Sequence, residues 1–166
     1  MVLKTPQAAT PLATNRLHGH VLVIEARFYE RITDLLVQGA IAEITSRGLT
    51  FERLAVPGAL EIPQVLAAAG AARASKAKFF DGAVALGCVI RGETAHYDIV
   101  CNNANHWLMD AAMRYGIPLG NGILTVENEA QALARTEGGR ANKGGDAARA
   151  CVKMIELQRV FAGAAS

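Results

Sequence analysis

Residues 81–90 read DGAVALGCVI, a run that is apolar on both faces. A strand of that kind needs cover above and below, as in the interior of a parallel sheet packed between helices. The rest of the chain alternates around it. His20–Ala26 is a short apolar, β-branched run and predicts a buried strand. Ile32, Leu35, Leu36, Gly39 and Ala40 follow at helical spacing, and Gly48 stands where that helix should stop. Phe51–Val56 predicts a second strand, closed by Pro57-Gly58, and Pro63 suits the first turn of a helix with Val65–Ala74 as its body. After Asp81–Ile90 comes a long helix with a stripe of Val100, Ala104, Trp107, Leu108, Ala111 and Tyr115. Ile117–Val126 predicts a fourth strand. A short helix at about 128–135 follows, then a Gly138-Gly139 joint and a last helix at about 144–161. The order β-α-β-α-β-α-β-α-α predicts a parallel sheet with helices on both faces.

A length of 166 residues suits one such domain. Residues 5–15 hold two prolines and no periodicity, so residues 1–17 are expected to be a flexible tail and residues 18–166 a single domain. Charged residues make up 19% of the chain, against roughly 25% in an ordinary soluble domain. This shortage suggests that other subunits cover part of the surface. A net charge of +2 is too mild to make nucleic acid or a membrane the main partner. No apolar run approaches the roughly 18 residues of a membrane span. Residues 1–24 have no apolar core of a secretory signal; they lack acidic residues but carry only two basic ones. Cys88, Cys101 and Cys151 are odd in number and widely spaced. They predict buried thiols in a reducing cytoplasm rather than a disulfide framework or a metal knuckle.

In sheets of this type ligands bind beyond the carboxyl ends of the strands. Those ends are Arg27-Phe28, Pro57–Glu61, Arg91–His96 and Glu127-Asn128. His96 stands at the expected start of the third helix, where the positive helix end favours a neutral ring able to take or give a proton. Padding of the helix start is the alternative. The Arg91–Thr94 turn offers free N–H groups to an anion, or simply caps the helix; it is neither a Walker loop nor GxGxxG. Glu61 lies in the stiff, apolar segment VPGALEIP. There it needs a polar partner or serves as a cap. Phe28 either stacks on a planar ring or closes the core. Arg135 and Lys143 flank the Gly-rich joint, as surface charges or, together with Arg91, as a phosphate site. No metal-ligand cluster, carboxylate pair or Ser-His-Asp series stands out.

These residues closely resemble the lumazine synthase family over about Val21 to Phe161. The resemblance rests on Arg27-Phe28, VPGALEIP at 56–63, GCVIRGETAHYDIVCN at 87–102, GNGILTVENEAQALAR at 120–135 and NKGGDAA at 142–148, in that order and spacing. It implies a flavodoxin-like three-layer αβα fold with a four-stranded parallel sheet of order 2-1-3-4. The implied activity is condensation of 5-amino-6-ribitylaminouracil with 3,4-dihydroxy-2-butanone 4-phosphate. The products are 6,7-dimethyl-8-ribityllumazine, phosphate and water, and no metal or organic cofactor takes part. A homopentamer with active sites between neighbours is implied, and a decamer or a shell of twelve pentamers is left open. The resemblance makes Phe28 the ring that stacks on the pyrimidine, and Ala59, Leu60 and Glu61 the ribityl-binding segment. Cys88, Val89 and Ile90 become pyrimidine contacts, Glu93 and Thr94 the phosphate cradle, and His96 the proton carrier. Arg135, supplied by the adjacent subunit, becomes the phosphate clamp and Lys143 a pyrimidine contact. One position departs: many members carry an aromatic where this chain has Asn121, which cannot stack and either hydrogen-bonds to the ring or leaves binding weaker. A flavin- or lumazine-binding protein with little turnover is the alternative that this departure raises.

Overall fold

In the computed structural model, which describes residues 17–163, the run at 81–90 forms the interior strand that its composition requires. Strand β3 (Gly82–Ile90) is buried along its first seven residues. It pairs in parallel with β1 (His20–Ala26) on one side and β4 (Leu119–Val126) on the other, and β1 pairs with β2 (Thr50–Val56). The sheet order is β2-β1-β3-β4, as the family resemblance implies. The register sets Val23 beside Val84 and Ala85 beside Asn121. All four strands therefore deliver their carboxyl ends to one edge.

Alternate side chains of each strand enter different cores. Val21, Val23, Val84 and Leu86 face α1 (Glu30–Ser46) and α5 (Lys143–Phe161). Leu22, Ile24, Ala83 and Ala85 face α2 (Ile62–Ala74) and α3 (His96–Tyr115). Each fully buried Val, Leu or Ile contributes about 1.5–3 kcal/mol relative to exposure. Edge strand β2 is half-exposed and carries Glu52, whose carboxylate is bound by Lys78 at 2.7 Å. Such a charged edge resists pairing with further strands. Close packing of α5 depends on Gly144, where a Cβ would collide with the Leu36 carbonyl of α1. Gly116, at φ 60°, ends α3 in the left-handed conformation that glycine adopts without strain.

Helix α4 (Glu129–Ala134) is short, and its Asn128 cap accepts the Gln131 N–H. Two 3-10 turns, Ala59–Glu61 and Gly139–Ala141, were not signalled by periodicity, which a single turn cannot display. Two expectations need correction. Trp107 is 51% exposed and not part of the buried stripe of α3. The stripe is set by Val100, Ala104, Leu108 and Ala111; position 107 lies a hundred-degree step from 108, on the flank. Cys101 is half-buried, whereas Cys88 and Cys151 are buried. The tail expected at residues 1–17 lies outside the described residues except for Leu17, whose N–H donates to the Arg47 carbonyl.

Candidate active site

The strand ends meet at a cleft of about 320 Å³. That is the lower end of the range for small-molecule sites. Its first wall follows β1. There the Thr33 hydroxyl donates to the Ala26 carbonyl and the Arg27 N–H to the Val56 carbonyl, fixing the turn that carries Phe28. Phe28 is 74% exposed, so it does not close the core. Its ring meets Tyr29 edge-on at 5.0 Å and leaves a face open.

The second wall is the 3-10 turn after β2. Pro57 and Pro63 bracket it, and the Gly58 N–H donates to Glu61 Oε2 at 2.9 Å. Glu61 is thus a cap that also lines the cleft. The floor is the end of β3, with Cys88, Val89 and Ile90. Burial pushes the Cys88 thiol up to about 11, and neighbouring Cys101 adds to the shift. A thiol so poised is protonated at neutral pH and is no nucleophile.

The third wall is the start of α3. Thr94 Oγ1 accepts the His96 N–H at 3.4 Å, so the threonine steadies the first helical residue. His96, Tyr97 and Val100 line the cleft from consecutive turns of that helix. The Arg91 guanidinium stacks 4.1 Å above the Tyr97 ring while pairing with Asp98 at 3.3 Å and Glu127 at 3.0 Å. Burial raises the Tyr97 phenol above its ordinary value, so it too stays protonated. Among the described residues His96 is the one histidine that lines the cleft. A larger groove of about 500 Å³ runs between α2 and α3 past Trp107 and Tyr115, but contains neither His96 nor Phe28.

Of the residues singled out from sequence, Phe28, Ala59, Leu60, Glu61, Cys88, Val89, Ile90, Thr94 and His96 line this cleft. Glu93 is in the same exposed loop without lining it. Asn121, Arg135 and Lys143 do not line it within one chain. Asn121 Nδ2 donates to Asn105 Oδ1 at 2.6 Å, and its own Oδ1 accepts the Ile123 N–H. Arg135 donates to the Gln131 carbonyl, and Lys143 pairs with Asp146 at 2.8 Å. Arg91, tied to Asp98 and Glu127, does not join them. Among the described residues no lysine or arginine lines the cleft.

The sequence model of the 6,7-dimethyl-8-ribityllumazine synthase family matches residues 18–159. The chain belongs to this family. The lumazine synthase match runs from just before β1 into the last turns of α5 and so covers every strand. The chain is 48% identical over 146 residues to the 6,7-dimethyl-8-ribityllumazine synthase of Nitrobacter hamburgensis, covering 88% of this chain and 90% of that one. It is 49% identical over 144 residues to that of Agrobacterium fabrum, covering 87% and 97%. A third relative, 6,7-dimethyl-8-ribityllumazine synthase 1 of Rhodopseudomonas palustris, is 49% identical over 146 residues, covering 88% and 90%.

Sequence reasoning missed Tyr29, Tyr97 and Val100 among the residues that line the cleft of this lumazine synthase family member. A signal existed for two of them. Tyr97 adjoins His96, and Val100 lies four residues on, which places it on the same helical face.

Proposed function

We propose that the chain condenses 5-amino-6-ribitylaminouracil with 3,4-dihydroxy-2-butanone 4-phosphate to 6,7-dimethyl-8-ribityllumazine, releasing phosphate and water. The single observation that carries this is the cleft that puts Phe28, Glu61 and His96 on three facing walls. In a family member, each wall suits one part of the pyrimidine substrate. The exposed Phe28 ring stacks on the heterocycle. Ala59, Leu60 and Glu61 take the ribityl chain, whose hydroxyls donate to the carboxylate. Backbone groups of Cys88, Val89 and Ile90 read the pyrimidine edge, and Lys143 adds a cationic contact.

The ketone phosphate lies against the 91–96 loop, where backbone N–H groups of Glu93 and Thr94 hold its oxygens. The substrate amine attacks the ketone carbonyl and water leaves to give an imine. Phosphate is then eliminated, the resulting enol becomes a second carbonyl, and the ribitylamino nitrogen closes the ring on it with loss of a second water. His96 takes the proton from the attacking nitrogen and returns it to the leaving hydroxyl. Holding the two reactants in contact supplies much of the remaining rate.

A phosphate leaving group needs a cation, and the cleft's own lining includes none. Arg135 and Lys143 are exposed, and the Lys143 N–H donates to the Arg135 carbonyl at 3.0 Å, so both cations belong to one surface loop. This arrangement supports a homopentamer in which that loop serves a neighbour's cleft. Asn121 would hydrogen-bond to the ring where relatives stack an aromatic. The reading places the enzyme in the cytoplasm and needs no metal or organic cofactor.

The test is a condensation assay with both substrates, following lumazine absorbance above the uncatalysed rate, with sedimentation on the same sample. Turnover from a pentamer or a multiple of it supports the reading. Folded protein that binds lumazine but adds nothing to the spontaneous rate would overturn it.

A further inference from the structure

A chain of alternating charges runs from the inside of the protein to Lys143. It begins at Glu43 on α1, which is 3% exposed. Glu43 Oε2 accepts Arg149 Nη1 at 2.9 Å and pairs with Arg140 Nε at 3.1 Å. The other end of the Arg149 fork, Nη2, donates to Asp146 Oδ1 at 2.7 Å. Asp146 Oδ2 in turn holds Lys143 Nζ at 2.8 Å. Lys143, Asp146 and Arg149 are spaced by three on the first turns of α5, so one helix face carries the whole relay.

Exposed ion pairs one helical turn apart restrain side chains weakly, because water competes for both partners. A relay tethered to a buried carboxylate differs. Glu43 cannot swing into water, so it stays fixed between Arg140 and Arg149, and the rigid Arg149 fork leaves one direction for the Asp146 carboxylate. The pull of Lys143 and Arg149 holds the Asp146 carboxyl below its ordinary range, so it is ionised throughout neutral pH. A lysine ammonium on four methylene-type links is otherwise free to sample many rotamers.

We infer that Glu43 is a positioning residue, acting through Arg149 and Asp146 to hold the Lys143 ammonium ready for the pyrimidine substrate. The inference rests on the reading of Lys143 given under the proposed function. Glu43 touches no substrate; it lowers the ordering that Lys143 must undergo on binding. The relay therefore serves affinity for the pyrimidine and not for the ketone phosphate.

The test uses the assembled enzyme and Glu43→Gln, which keeps the shape and one acceptor but removes the charge. The Michaelis constant for the pyrimidine should rise about 3- to 10-fold, as expected for neighbours coupled in one network. That for the ketone phosphate should stay within about twofold. Repeating Glu43→Gln in a Lys143→Met background should abolish the effect. Equal rises for both substrates, or an effect that survives in Lys143→Met, would overturn the inference and leave Glu43 a structural anchor. If Lys143→Met alone leaves the pyrimidine constant unchanged, the assignment of Lys143 itself falls and this inference with it. Should Glu43→Gln fail to assemble, Arg149→Gln breaks the same relay from its half-exposed end and is judged by the same outcomes.

Discussion

Gly39 of α1 packs directly against the side chain of Asn142, leaving no room for a Cβ: one built there would overlap the Asn142 amide oxygen and crowd the Gly139 carbonyl. Asn142 is 3% exposed, and its carboxamide is fully used. Nδ2 donates to the Leu35 carbonyl at 2.8 Å and to the Thr136 carbonyl at 3.2 Å, while Oδ1 caps α5 by accepting the Gly145 N–H at 3.0 Å. Helix propensity favours alanine over glycine by about 0.5–1 kcal/mol. Overpacking costs about 1–3 kcal/mol, so the sign reverses. Gly39→Ala should destabilise by about 1–2 kcal/mol. Asn142→Ala should cost about 2–3 kcal/mol, through a lost cap and the buried Thr136 carbonyl left without its donor. Urea unfolding at one fixed protein concentration measures both. A stabilised Gly39→Ala would show that the loop yields freely.

His96→Ala should lower turnover by about 100-fold, at the low end of what positioned acid–base groups contribute, and leave a rate above background. The residue caps no buried group and is exposed, so assembly and melting temperature should not move. Since the remaining walls still hold both substrates together, their Michaelis constants should change little. Steady-state kinetics on both substrates, with the spontaneous reaction subtracted, decide this. Complete loss in a folded variant would mean that proximity contributes little here.

Arg135 is exposed at the end of α4, with Nη1 donating to the Gln131 carbonyl at 2.9 Å. If it clamps phosphate across a subunit boundary, Arg135→Ala should raise the constant for the ketone phosphate about 10- to 100-fold, as expected for a charge-assisted bond of about 1.5–3 kcal/mol. Arg135→Lys should recover part of this, because lysine restores the charge without the bidentate fork. Mixing Arg135→Ala with His96→Ala subunits adds a sharper check. If the site is shared between subunits, some mixed assemblies place an intact His96 cleft beside an intact Arg135 loop and regain activity. No recovery would put both residues in the same subunit's site.

The strands were legible because β1 and β3 are short apolar runs and each strand is closed by Pro or a charge, and the bounds of β1 match its run residue for residue. The interior place of β3 followed from its two apolar faces. Trp107 misled, since an aromatic one step off a helical stripe looks apolar in sequence while its ring faces outward. The cleft's three walls were legible because ligand sites gather at the ends of parallel strands. What had no sequence signal was the pairing of distant groups. Glu43 and Arg149 are separated by 106 positions and Leu35 and Asn142 by 107, and nothing local marks either as a partner of the other. Asn142 entered only as part of the NKGGDAA stretch, and nothing in that stretch marks it as the pin that joins two helices. The strand order came from family resemblance, since alternation alone permits several orders.

Stability should fall on the alkaline side, and two thiols identify the window. Burial pushes Cys88 up to about 11 and Cys151 up to about 12, from an ordinary value of 9.0. Both groups hold their proton more tightly folded than unfolded. Below pH 9 the two states bind equally, and this contribution is fully present. Above 9 the unfolded chain loses its thiol protons first, so the folded state loses stability until the folded thiols titrate. The slope cannot exceed about 1.36 kcal/mol per pH unit for each thiol. Cys151 contributes most plainly, because it is wholly enclosed on the buried face of α5, with its Sγ 3.6 Å from the Pro118 carbonyl. Unfolding measured from pH 8 to 11 should therefore steepen above 9, and Cys151→Ala should flatten the curve there even though it lowers stability at pH 8. Iodoacetamide should label half-buried Cys101 before Cys88, and lumazine bound in the cleft should slow Cys88 further. A pH profile unchanged by Cys151→Ala would mean that the alkaline loss comes from other groups, with the lysine and tyrosine side chains next to be tested.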